Sequence, residues 1–132
     1  MKEIIIIEKG SDGTFSAYPS SIKDTIIGEG NTAEEAKSDF LNSYEELIQF
    51  YKEEGRVPEY LENIEFEYTY DLSAFFSYFK FINVSKFAEA IGIEPSLMRH
   101  YKIGDARISR EQAKRIENGI HVLASELQKV TL

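Results

Sequence analysis

The sequence predicts an α+β fold in two parts, a βββαβ domain over residues 1–71 and an all-α domain over residues 72–132. Three observations predict it. β-branched and alternating segments crowd the first half around one long amphipathic stretch, the signature of a sheet with a helix on it. From Ala74 onward the apolar residues recur at helical spacing instead. Charge divides at the same place: residues 1–72 hold 6 Lys+Arg and 17 Asp+Glu, a balance of −11, whereas residues 73–132 hold 9 and 6, a balance of +3. Such asymmetry points to an acidic half for one partner and a basic half for another.

Glu3 to Lys9 is a β-branched run that reads as a buried strand. Gly10-Ser11-Asp12-Gly13 is a hairpin turn, and Thr14 to Tyr18 alternates, so it pairs back on the first strand. Pro19-Ser20-Ser21 breaks it. Ile22 to Ile27 is the expected third strand, ended by Gly28 and Gly30, which completes an antiparallel meander. Thr32 then opens a long helix, its hydroxyl capping the helix while Glu35 reaches back. Ala36, Phe40, Tyr44, Leu47, Ile48 and Tyr51 form the apolar stripe, Gly55 stops the helix and Pro58 prevents its resumption. Ile64, Phe66, Tyr68 and Tyr70 alternate with Glu65, Glu67 and Thr69, a half-exposed strand. Asp71-Leu72-Ser73 is a short link that leaves little freedom between the halves. Ala74 to Ile82 is expected to open the second domain as a helix aromatic nearly all round, hence buried on more than one side.

Val84 to Gly104 reads as two short helices joined by a tight turn. Ala88 is small enough to let the second helix approach, and Gly92 supplies the positive φ that the turn needs. Phe87 and Ile91 share the inner face of one helix, Met98 and Tyr101 that of the next, and Ile93 plugs the turn. This is a helix-turn-helix, whose second helix enters the DNA major groove. Its outer face carries Ser96, Arg99, His100 and Lys102, all able to donate hydrogen bonds (His100 according to its tautomer) and none acidic. With Arg107 and Arg110 they are the candidate DNA-binding residues, because basic groups hold phosphates and arginine grips guanine in bidentate fashion. Leu97 either meets a thymine methyl or packs in the core. Asp105 to Ile108 is a loop, and Ser109 caps a last helix in which Ala113, Ile116, Ile120, Leu123 and Leu127 step by 3, 4, 3, 4. That seam closes the helical core or supports a two-fold contact, and Asn118-Gly119 offers a break between two helices. Helix-turn-helix domains usually bind as dimers on half-sites about 34–36 Å apart, so a homodimer on a palindromic operator is expected.

The totals exclude several classes. The absence of cysteine rules out disulfides and thiolate metal sites and fits a reducing compartment. The aliphatic run Ile4–Ile7 is far too short to span a membrane, and no signal peptide is visible, so a cytoplasmic protein is expected. No enzyme is expected. The first strand has no carboxylate between Ile4 and Ile7, the acids of the long helix read as its wet face, and His100 and His121 lie far apart in sequence. No cofactor or metal site is predicted.

The order of these motifs resembles the HicB-type antitoxins of bacterial toxin–antitoxin pairs. The resemblance is carried by IIIIEKGSDGTFSAYPSSI, by the G-x-T-x-E-E-A helix start Gly30-Asn31-Thr32-Ala33-Glu34-Glu35-Ala36, and by SLMRHYKIGDARIS leading into the last helix, and it covers nearly the whole chain. It implies a partial ribonuclease-H-like fold in the first domain, without catalytic acids. It also implies that this domain binds and blocks a small basic RNA-cleaving toxin of the HicA type, while the helix-turn-helix binds the operon's own operator DNA. The chain departs from the family before the G-x-T motif, where a stretch like Pro-Asp-x-Pro-Gly-Cys is replaced by Pro19-Ser20-Ser21-Ile22-Lys23-Asp24. No toxin contact is therefore assigned to that loop. The alternative is a stand-alone transcriptional regulator whose first half binds a small ligand or itself.

Overall fold

The computed structural model describes residues 1–22 and 26–132. The fold is α+β, with a four-stranded mixed sheet and five α-helices among the described residues. It divides into two compact units, Met1–Lys80 and Phe81–Leu132.

In the first unit β1 (Lys2–Lys9), β2 (Phe15–Pro19), β3 (Gly28–Gly30), α1 (Ala33–Glu53), β4 (Glu65–Tyr70) and α2 (Leu72–Tyr78) follow one another. The strand order is β3-β2-β1-β4. β1 and β2 pair antiparallel, as do β2 and β3, whereas β4 lies parallel to β1, from Lys2 opposite Glu65 to Ile7 opposite Tyr70. A parallel pair needs a crossover, and α1 supplies it. Alternation turns Ile5 and Ile7 of β1 and Phe15 and Ala17 of β2 toward the Ala33, Ala36 and Phe40 side of α1, where Phe66 packs edge-on to Phe40 and Tyr44. β1 is therefore buried on one face rather than both: Ile4, on the other, is 43% exposed.

The third strand differs from expectation. It forms on Gly28 and Gly30 themselves, outside Ile22–Ile27, of which residues 23–25 lie outside the described residues. The reason is a close approach. A Cβ on Gly28 would come 2.2 Å from the amide nitrogen of Phe40 and 2.3 Å from the carbonyl oxygen of Ala36. Only glycine allows β3 to lie directly against α1. The helix start is as predicted: Thr32 Oγ1 accepts from Glu35 N at 3.1 Å, and the Glu35 carboxylate accepts from Asn31 N at 2.7 Å.

Glu3 takes an inward position on β1 and is 2% exposed. It accepts from Ser21 N at 2.7 Å, Ile22 N at 3.2 Å and the Ser21 hydroxyl, which pins the segment after β2. Burial pushes its carboxyl up, but these bonds outweigh burial and hold it below the ordinary glutamate value.

The link expected at Asp71-Leu72-Ser73 is part of the first unit. The Asp71 carboxylate caps α2 by accepting from Ala74 N at 2.7 Å and also accepts from Lys9 N at 3.0 Å. Helix α2 is shorter than Ala74–Ile82 at its far end, and Ala74 joins the core under the sheet. The units accordingly divide after Lys80 rather than after Asp71, and Phe81, expected in an aromatic helix, is 83% exposed.

The second unit contains α3 (Val84–Ile91), α4 (Pro95–Ile103) and α5 (Arg110–Gln128) around Phe87, Ala88, Ile93, Met98, Tyr101 and Ile116. Asn118-Gly119 does not break the last helix. A Cβ on Gly119 would fall 2.4 Å from Cγ2 of Ile91, so that glycine is where α5 meets α3.

Candidate nucleic-acid interface

Helix α3 starts at Asn83, whose Oδ1 accepts from Lys86 N at 2.9 Å, and ends at Gly92 with φ +76°. The N–H of Ile93 then bonds back to the Ala88 carbonyl at 2.9 Å, closing the turn that glycine in the left-handed region permits. Glu94 caps α4, its carboxylate accepting from Leu97 N at 3.0 Å, and Pro95 takes the first helical position. Helix α4 packs on α3 through Met98, fully buried, and Tyr101, with Ile93 buried in the turn, as the sequence predicts. Ile91 is half-buried against Gly119, and Leu97 is half-buried.

Arg115 fixes the turn from α5. Its guanidinium donates to the carbonyl of Gly92 at 2.9 Å. This arginine is thus a clamp on the turn, a use that spacing alone did not reveal.

Ser96, Arg99, His100 and Lys102 are all exposed on α4, and Arg107 and Arg110 are exposed in the following loop and at the start of α5. Several have partners within the unit. The Ser96 hydroxyl donates to Glu94, Arg99 donates to Ser85 Oγ on α3 at 2.9 Å, and His100 Nδ1 lies 2.8 Å from Asp105 Oδ1. The bond from Ser96, the bond from Leu97 N and the charge of Arg99 hold the Glu94 carboxyl below its usual value. The donor face therefore has a carboxylate at its N-terminal edge. Sequence reasoning missed it because glutamate is an uncommon cap; Pro95, at the favoured first position, was the available signal.

Bonds to Ser85 and Asp105 hold Arg99 and His100 against α3 and the loop after α4, which lowers the entropy lost when an arginine or histidine is immobilised on a ligand. Four exposed cations, Arg99, Lys102, Arg107 and Arg110, fall between α4 and the start of α5, with the exposed acids Glu94 and Asp105 in the same stretch. Such an arrangement can hold phosphate oxygens and present a guanidinium to a base edge. Among the described residues no group of three His, Asp or Glu side chains is placed to hold a metal ion, and no helix is long and apolar enough to cross a membrane. Compared with known protein families, curated proteins and solved structures, the chain finds no match.

Proposed function

We propose that this chain is a DNA-binding regulator and an antitoxin: the second unit binds operator DNA as a helix-turn-helix, and the first neutralises a small basic RNA-cleaving toxin of the HicA type. The observation that carries the reading is the α3–turn–α4 geometry, with left-handed Gly92 at the corner and Arg99, His100 and Lys102 outward on α4. The inner faces of both helices are buried, so the outer face of α4 is the surface offered to a groove. The first unit has 7 Lys+Arg and 17 Asp+Glu, a balance of −10, and the second 8 and 6, a balance of +2, which suits opposite partners. The βββαβ order supports reading the first unit as a partial ribonuclease-H-like domain.

The test of the DNA half is protection of the region upstream of the chain's own coding sequence. Wild type should protect a palindromic site, and Arg99→Ala/Lys102→Ala, with folding verified by circular dichroism, should not. Equal protection by the double variant removes α4 as the recognition helix. The toxin half is tested by pull-down of the tagged chain from its native host, with mass spectrometry to identify any small basic protein that comes with it. Recovery of the two proteins in fixed stoichiometry supports it, and a clean homodimer favours a stand-alone regulator.

A further inference from the structure

The sheet of the first unit is covered by α1 and α2 on one face. On the other face, β1 turns out Lys2, Ile4, Ile6 and Glu8. The register sets Ile6 between Tyr18 of β2 and Thr69 of β4, and Ile4 beside Glu67. A sheet face left to water ordinarily carries polar groups. Two isoleucines on a strand that has a neighbour on each side depart from that rule.

What surrounds them is acidic. Glu8 follows Ile6 on β1, Glu29 lies opposite Ser16, and Glu65 and Glu67 turn outward on β4. Lys2, the basic group at the outward strand positions, has its Nζ 2.9 Å from Glu67. Tyr18 lies beside Ile6 on this face. Its hydroxyl donates to Glu8 at 3.0 Å, and burial, that bond and the charges of Glu8 and Asp71 push its pKa above the ordinary tyrosine value. An apolar centre with a charged rim is the anatomy of a protein interface.

We propose that this open sheet face is the docking surface for a small basic protein, with Ile4 and Ile6 at its dry centre and Glu8, Glu29, Glu65 and Glu67 as the rim that receives lysine and arginine. The proposal rests on the antitoxin reading and names the surface that reading leaves unassigned. The same charges disfavour other occupants. Phosphates would meet carboxylates, and a two-fold pairing of the face with itself would set one acidic rim against another.

The experiment titrates this chain with the purified small basic protein recovered in that pull-down, following rate and affinity. Glu29→Lys/Glu65→Lys should slow association on the order of tenfold at low salt, and the gap should shrink as salt is raised. Ile4→Thr, which keeps the β-branch, should weaken affinity about tenfold by putting a hydroxyl at the dry centre. Glu45→Lys/Glu46→Lys, the same charge change on the exposed side of α1, should leave binding as it is. Circular dichroism and tyrosine fluorescence verify that each variant is folded. If the wild type binds and all three variants bind equally well, the surface is wrong and the antitoxin reading stands. If no small basic protein is recovered, or the purified one does not bind the wild type, both fall.

Discussion

Gly28→Ala adds a single methyl group, yet it should remove much of the first unit's margin of stability. The new Cβ would sit 2.2 Å from Phe40 N and 2.3 Å from Ala36 O, both backbone atoms in the N-terminal half of α1. Real Cβ atoms do not approach closer than 3.0 Å, so the helix and the strand must part by 0.8 Å (3.0 − 2.2). No rotamer relieves the clash, because neither atom belongs to a side chain. A gap of that size forfeits roughly a quarter to a half of the dispersion energy of each atom pair across it. Ala33, Ala36 and Phe40, all fully buried, lie along this seam. Overpacking ordinarily costs about 1–3 kcal/mol, and a backbone clash belongs at the top of that range, about 3 kcal/mol. With a urea m-value on the order of 1 kcal/mol/M for a unit this small, the midpoint should fall by about 3 M. Tyrosine fluorescence follows the right unit, since seven of the eight tyrosines lie within Met1–Lys80. Gly13→Ala is the comparison: φ is +87° but no atom lies within 4 Å of the built Cβ. It should cost only the left-handed penalty of about 1–2 kcal/mol. If Gly28→Ala lowers the midpoint no more than Gly13→Ala does, the account of β3 lying on α1 is wrong.

Further outcomes follow from other parts of the molecule. Because the Glu3 carboxyl is held below its ordinary value when folded, its contribution is present above about pH 4.3 and is lost as pH falls through the lower folded value. Acid unfolding followed by tyrosine fluorescence should therefore lose part of its pH dependence in Glu3→Gln, and an unchanged acid limb would refute the role given to the Ser21 and Ile22 bonds. Burial, with Tyr78 and Tyr68 alongside, pushes Tyr70 up to about 12, so stability from its neutral form is lost only as pH rises from about 10 toward that value. Alkaline absorbance titration should show a late-ionising tyrosine that disappears in Tyr70→Phe. Arg115→Ala removes the clamp on Gly92 and should cost about 1 kcal/mol, read as a drop of about 5 °C in the helical melting of the second unit. For every phosphate that Arg99→Ala/Lys102→Ala leaves without its cation, the slope of log affinity against log salt should flatten by about 0.9, so a slope equal to wild type would mean that neither side chain touches the backbone of DNA.

The sequence showed periodicity clearly and close approach poorly. Alternation through Ile64–Tyr70 and the capping pair Thr32 and Glu35 report themselves in local spacing, and both elements form where that spacing puts them. The inner faces of α3 and α4 were equally legible, since Phe87, Met98 and Tyr101 keep helical intervals. Gly28, Gly30 and Gly119 misled because glycine ends an element in the local code, whereas here it marks where another element presses on the backbone. Asp71 misled for a related reason. It reads as a linker residue, but it caps α2 and receives Lys9 N, sixty-two residues earlier in the chain. On the candidate interface the outward residues were readable as a set, while their partners were not. That Ser96 belongs to Glu94, Arg99 to Ser85 and Arg115 to Gly92 depends on distances that composition does not encode.

The parallel pairing of β1 with β4 has a consequence for biosynthesis. Lys2 waits for Glu65, so at the usual pace of translation, ~5–20 residues per second, the four isoleucines of β1 spend roughly 3 to 13 s with only the β2 hairpin for company. A nascent chain of this protein thus offers a sticky edge to its surroundings until Tyr70 clears the ribosome. Slowing translation across the codons for α1 should raise the yield of aggregate, whereas slowing it within α5 should not.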